Sequence, residues 1–219
     1  MPPLPRPTIK LTFDDGPDER STPRVLDALE SCGARATFFM LGERIEAAPG
    51  VAAAVLDAGH EVQLHGYRHA RHTELEEDAI ELDTRRALDA LARVGVRPTR
   101  WRAPWGITTR ATERVASRHG LSLVHWTIDT HDWRGDPMPT MLARVRRGLA
   151  PGAVVLMHDA LGPGSLRSGC ENTVELVGPL VELARSSGLC VAGALPEPSL
   201  AAAAPLPSPA DLQSAGVRG

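Results

Sequence analysis

The chain has little of several features that would place it quickly in a functional class. Aromatic residues make up 4% of its 219 positions, and cysteine occurs three times, at Cys32, Cys170 and Cys190. An odd, widely spaced set of that size offers neither a disulfide framework nor a cysteine-based zinc site. No stretch approaches the ~20 consecutive apolar residues that a membrane-spanning helix needs. An excess of one charge sign is also missing, since 24 Lys and Arg against 27 Asp and Glu leave a net charge of −3. With no basic run, binding to nucleic acid through phosphate neutralisation is not expected. No G-x-G-x-x-G follows a strand pattern, so no dinucleotide site is indicated, and no internal repeat is visible. The opening residues hold several prolines and no apolar leader segment. As written, the chain is expected in the cytoplasm. A secreted protein trimmed of its leader would read the same.

What is present is an ordinary globular composition, 42% hydrophobic and 23% charged, on a chain long enough for one well-buried core. Residues 1–7 form a Pro-rich extension, 8–195 the folded domain, and 196–219 an Ala/Pro-rich tail expected to be disordered. Within the domain, apolar runs predict strands at 8–13, 36–41, 60–64, 99–102, 121–128, 153–157 and 189–194. Helical spacing predicts helices at 22–31, 51–58, 76–94, 109–119, 139–149 and 174–186. Such alternation indicates a parallel sheet with crossover helices, and the apolar runs ATFFM and VVLM suit buried parallel strands. A (β/α) barrel, complete or incomplete, fits the strand count better than an open doubly wound sheet.

In that architecture, reactive groups gather where strands end. The first strand runs into Asp14-Asp15-Gly16-Pro17, two adjacent carboxylates that repel unless a cation lies beside them; a turn or cap would also use them. The third strand runs into His65-Gly66-Tyr67-Arg68-His69, with histidines four apart as on one face of a helical turn. Asp15 with His65 and His69 would give three metal donors with open positions, a pattern of hydrolytic zinc sites and also of non-haem iron oxygenases. Arg102 can pin a carboxylate, and Pro104-Trp105-Gly106 can aim a backbone N–H at a developing oxyanion. Asp132-Trp133 follows another strand, and His158 directly follows the most apolar one, where a general acid would sit. His60, His72, His119 and His125 read as structural or exposed, and His131 is a weaker candidate for function. All four tryptophans fall between Trp101 and Trp133, as if lining a groove, although core packing explains Trp101 and Trp126 equally well. The Gly-rich segment 161–172 is either a flexible connection or a substrate-selecting loop through Arg167 and Asn172.

Taken in order, these segments resemble the polysaccharide deacetylase family, family 4 of the carbohydrate esterases, also called the NodB-homology domain. Thr12–Pro17 matches its T-F-D-D-G-P motif, and His65–His69 matches H-[ST]-x-x-H except that Gly66 replaces a hydroxyl residue. Arg102–Trp105 is similar to R-x-P-[YW], Asp132-Trp133 to the fourth motif, and Leu156–His158 to L-x-H. The resemblance implies a distorted (β/α)7 barrel and a metal-dependent hydrolase that removes acetyl groups from N-acetylated sugars. It implies Asp14 as general base, Asp15, His65 and His69 as metal ligands, and His158 as general acid tuned by Asp132. Arg102 would orient the base, and Trp105 would support the oxyanion through its backbone N–H. Tyr67, Trp133 and Leu156, which lie within the motifs, are expected at the substrate. The implied cofactor is a divalent metal, Zn²⁺ first, with Co²⁺, Ni²⁺ or Mn²⁺ able to use the same donors. The expected partner is a carbohydrate or a small N-acetylated substrate, with no nucleic acid, membrane span or obligate protein partner. Without a leader, a cytosolic deacylase of a small N-acyl metabolite is the alternative. An oxygenase would more naturally use a jelly roll, and a sugar-binding module would not need this set of titratable groups.

Overall fold

The computed structural model describes residues 7–195. Strands β1 (Thr8–Asp14), β2 (Thr37–Leu41), β3 (Glu61–Gly66), β4 (Arg100–Trp101) and β5 (Ser122–Leu123) are followed by β6 (Ile128–Asp129), β7 (Val154–His158) and β8 (Cys190–Ala192). They alternate with helices α1 (Ser21–Ser31), α2 (Gly42–Ala47), α3 (Pro49–Asp57), α4 (Glu77–Arg93), α5 (Arg110–Arg118), α6 (Met138–Gly148) and α7 (Glu171–Ser186). The spatial order is β5-β4-β3-β2-β1-β7-β6, all parallel, and β8 pairs the first residues of β1. This is the expected distorted (β/α)7 barrel, with β8 as an addition at its lower edge. The predicted tail at 196–219 and nearly all of the N-terminal extension lie outside the described residues.

The period of two along each strand divides the sheet into two environments. Ile9, Leu11 and Phe13 join Phe38, Met40, Val62, Leu64, Trp101, Val155 and Met157 in the apolar core beneath the helices. Phe13 stacks on Phe38 with ring centroids 5.1 Å apart. Each fully buried side chain of this size contributes roughly 1.5–3 kcal/mol. The alternate positions are polar and bond to one another. Glu61 accepts from Thr37 (2.5 Å), Gln63 (2.8 Å) and Arg100 (2.7 Å), while Arg102 reaches Thr12 and Asp14.

The helices follow their apolar stripes. In α4, Ile80, Thr84, Ala87 and Leu91 recur at helical spacing and are buried, while Glu77, Asp78 and Arg93 complement the helix dipole at its two ends. Thr109 and Thr112 form a reciprocal capping box at the start of α5. α7 begins at Glu171, three residues before the helical period becomes visible, and packs against α1 and α6. The short α2 buries only Gly42 and Ile45, too few to register as a period. Among the described residues, no helix is long and apolar enough to cross a membrane, and all three cysteines are free.

One expected strand is corrected. The run 121–128 is two strands, because its pairing partner changes part-way along. Val124 N–H bonds the carbonyl of Trp101 (2.9 Å), on β4, whereas Thr127 N–H bonds that of Val154 (2.9 Å), on β7. β5 and β6 are the two ends of the sheet, so the residues between them cross the unclosed seam of the barrel.

Candidate active site

The C-terminal strand ends converge on a cavity of about 220 Å³ lined by Asp14, Asp15, His65, His69, Trp105, Trp126, Asp129, Trp133, Leu156, His158 and residues 162–165. Register explains the meeting. Asp14 is paired with Phe39 on one side and with His158 on the other, and Asp129 is paired with Leu156.

At one wall lie Asp15, His65 and His69, whose donor atoms fall within 4.8 Å of one another. Asp15 Oδ1 is 3.3 Å from Nε2 of each histidine, yet Asp15 Oδ1 and His65 Nε2 are buried without a hydrogen-bond partner. His65 Nδ1 is 2.7 Å from the carbonyl oxygen of Arg102. A carbonyl only accepts, so Nδ1 carries the proton and Nε2 turns a lone pair toward Asp15. Burial pushes the His69 imidazole down to about 4, helped by the charge of His65. Burial alone would raise the Asp15 carboxyl, but the facing His65, with His158 and His69, outweighs it and holds Asp15 below the usual range. The orphaned Asp15 Oδ1 and His65 Nε2, with the His69 imidazole pushed down beside them, fit a divalent transition metal. The two histidines are not on a helical turn, as their spacing had suggested. His65 is the penultimate residue of β3, and the chain then turns at Gly66, whose φ of 120° few other residues tolerate.

Beside this wall is the first of two ion pairs. Arg102 is fully buried and donates from Nη1 to Asp14 Oδ1 (2.7 Å) and Thr12 Oγ1 (2.8 Å), and from Nη2 to the carbonyl of His125 (3.3 Å). Asp14 Oδ2 remains toward the metal-type donors, 4.0 Å from His65 Nε2. In the second pair, His158 Nδ1 donates to Asp132 Oδ1 (2.7 Å), while Asp132 Oδ2 accepts from His158 N–H (2.8 Å), Thr173 (2.8 Å) and Arg167 (3.1 Å). Burial alone would neutralise the imidazolium, but the charge and hydrogen bond of Asp132, with Asp15 and Asp14, raise its pKa. Burial likewise opposes the Asp132 carboxylate, and the same partnership with His158, then Arg167 and Thr173, keeps it ionised.

Trp105 lies in a single turn of 3₁₀ helix, Pro104–Gly106, with φ of 64°. Its ring is flanked by Arg71, 3.6 Å from the centroid, and by His69 edge-on at 4.9 Å. Asp15 (φ 76°) and His131 (φ 60°) are the other side-chain-bearing residues with left-handed backbone among those described. Segment 162–165 roofs the cavity. A methyl on Gly162 would fall 2.0 Å from Asp15 Oδ2, and one on Gly164 would fall 3.0 Å from the Trp105 ring.

The structure thus gathers every expected site residue except Tyr67. Its ring is buried in the core, its hydroxyl donates to Glu46 (2.9 Å), and Arg86 stacks on it. Arg102 and Asp132 sit just behind the cavity wall. Neither loop candidate for substrate selection reaches the cavity. Arg167 is turned inward onto Asp132, and Asn172 lies in α7, bonding the carbonyls of Gly135 and Asp136. Trp126, read equally well as core, lines the cavity, and His131 sits behind it, its N–H on Asp129 Oδ1 (2.8 Å). Asp129 and Asp159 were missed. Asp159 is fully buried against Gly16, accepts from Thr22 (2.5 Å), and burial pushes its carboxyl up to about 7. The only sequence signal for either was an acidic residue next to a strand end.

Comparison with known proteins follows the same lines. A family profile described as Polysaccharide deacetylase matches residues 2–124. A chitooligosaccharide deacetylase of Bradyrhizobium sp. (strain ANU 289) is 34% identical over 169 residues, 76% of this chain and 77% of that protein. A peptidoglycan-N-acetylglucosamine deacetylase of Bacillus cereus is 33% identical over 174 residues, 78% of this chain, which spans 62% of that longer protein. The solved family 4 carbohydrate esterase from Streptomyces lividans, in complex with acetate, superposes with a TM-score of 0.77 at 32% identity, covering 84% of this chain and 91% of that one.

Proposed function

Since the chain belongs to the polysaccharide deacetylase family, we propose that it hydrolyses the acetamide of N-acetylated sugars, with chitin oligosaccharides and peptidoglycan-type glycans as substrate class. The observation that carries this reading is the pairing pattern around one cavity. A carboxylate held by a buried arginine and an imidazole held by a buried carboxylate both face it, beside three metal-type donors.

Asp15, His65 and His69 would hold the metal. A divalent cation, when bound, acidifies water and polarises an acyl oxygen. Asp14 accepts the proton of the attacking water at Oδ2, because Arg102 and its own Oδ1 are already engaged. The backbone N–H of Trp105 donates to the oxygen on which charge accumulates. His158, doubly protonated with Nδ1 fixed on Asp132, delivers the Nε2 proton to the departing amine. Without that proton the amine would be a poor leaving group. Trp126 and Trp133 offer the apolar faces on which a pyranose ring packs, and Asp129 offers an acceptor for its hydroxyls.

The test is acetate release by zinc- or cobalt-loaded protein from chitin oligosaccharides, peptidoglycan fragments, acetylated xylan and N-acetylglucosamine. Release from oligomers, abolished by Asp14→Ala, is the expected result. No release from any of them, with the metal bound stoichiometrically, would refute the reading and favour a small N-acyl metabolite.

A further inference from the structure

Arg167 belongs to none of the motifs that mark this family in the sequence, yet its guanidinium is nearly sequestered, 4% exposed. Its side chain joins four segments. Nη1 donates to Asp132 Oδ2 (3.1 Å) and to the Thr173 hydroxyl at the start of α7. Nη2 shares its two hydrogens among the carbonyl of His158 (3.0 Å), the carbonyl of Ala160 (3.3 Å) and Cys170 Sγ (3.2 Å). Arg167 therefore contacts both the carboxylate that orients the His158 ring and the backbone that carries that ring. Asp132 holds His158 by ring and N–H, and Arg167 holds the same residue by its carbonyl. The loop is tied from its other side as well, with Leu166 N–H on the Trp133 carbonyl (2.9 Å).

We propose that Arg167 is a positioning residue for the general acid, fixing the Asp132–His158 pair in the orientation that aims Nε2 into the cavity. The role rests on the functional reading above. A planar fork meets this geometry because one nitrogen serves the carboxylate while the other serves the strand end, which a lysine ammonium cannot do at once. Thr173 also holds Asp132 Oδ2 (2.8 Å), so losing the arginine loosens the carboxylate without freeing it.

The experiment compares wild type, Arg167→Met and Arg167→Lys by proton NMR, zinc-binding stoichiometry and steady-state kinetics. A ring N–H bonded to a buried carboxylate gives a strongly downfield resonance, assigned to His158 by its loss in His158→Gln. In metal-free protein, Arg167→Met should lose or broaden that resonance, and Arg167→Lys should keep it in weakened form. In loaded enzyme, kcat should fall by roughly 10–100-fold in Arg167→Met with KM little changed, as for a misplaced catalytic group. Arg167→Lys should recover part of the loss, and zinc stoichiometry should stay at wild type in both. An unchanged resonance in either variant overturns the proposal, as does a kcat loss that tracks a loss of bound zinc. Should Arg167→Met not fold, Arg167→Lys decides by the same resonance. A wild type that shows the resonance but releases no acetate from any sugar refutes the functional reading alone.

Discussion

Replacing Asp132 with Asn keeps the shape of the side chain and removes one charge from a site that is fully buried. Three donors converge on Oδ2, namely His158 N–H, Thr173 and Arg167, so the amide oxygen takes that place and the amide NH₂ faces His158 Nδ1. Nδ1 must then accept instead of donate, and the ring becomes the neutral tautomer with its proton on Nε2. Removing one partner from a buried pair costs about 3–5 kcal/mol. In the wild type the His158 imidazolium is raised from 6.5 to about 10, chiefly by Asp132 against the opposing effect of burial. A raised pKa means that the folded state binds the proton more tightly. Its stabilisation is complete below about pH 6.5 and fades as pH climbs through 10. The advantage of wild type over Asp132→Asn should therefore be largest near pH 6.5 and shrink toward pH 10. Urea unfolding of the metal-free proteins at pH 6.5, 8 and 9.5 measures it. Groups common to both proteins cancel except where Asp132 itself adds to their shift, as it does at Asp129 and Cys170. Asp159, pushed up to about 7 by burial, is among those that cancel. Stability curves that run parallel across this range would refute the ion-pair account of Asp132 and His158.

The remaining expectations concern the metal wall and its roof. Gly162→Ala should weaken zinc binding about tenfold or more, since its methyl would fall 2.0 Å from Asp15 Oδ2 and overpacking costs ~1–3 kcal/mol. Gly50→Ala, in the first turn of α3 with open space around it, is the control and should leave zinc binding unchanged. His69→Ala should abolish stoichiometric zinc binding in calorimetric titration while leaving the fold intact. Retained one-to-one binding would exclude His69 as a ligand.

Most of the barrel was legible because its strands are apolar runs separated by amphipathic helices, and the strand ends at Asp14, His65, Arg102 and His158 carry their chemistry in the primary sequence. The seam was not legible. Residues 121–128 form one apolar run, and only three-dimensional pairing reveals that half of it pairs with β4 and half with β7. Tyr67 shows the opposite failure, for it lies between two metal-type histidines yet turns away, because the chain turns at Gly66 and the ring packs into the core. Arg167 and Asp159 were hidden for a third reason. Their roles depend on contacts with Asp132, Thr22 and Gly16, which are distant in sequence, and local spacing carries no trace of such contacts.

The left-handed backbone at Asp15, Trp105 and His131 sets selection for stability against selection for chemistry. A side chain in that conformation costs of order 1–3 kcal/mol, most of which glycine would relieve. A chain free to drift toward greater robustness would be drawn to glycine at all three positions. At 15 it would lose a metal-type donor, and at 105 it would lose a wall of the cavity. These positions are therefore where a lineage that stops using the site should first exchange reactivity for a more comfortable backbone.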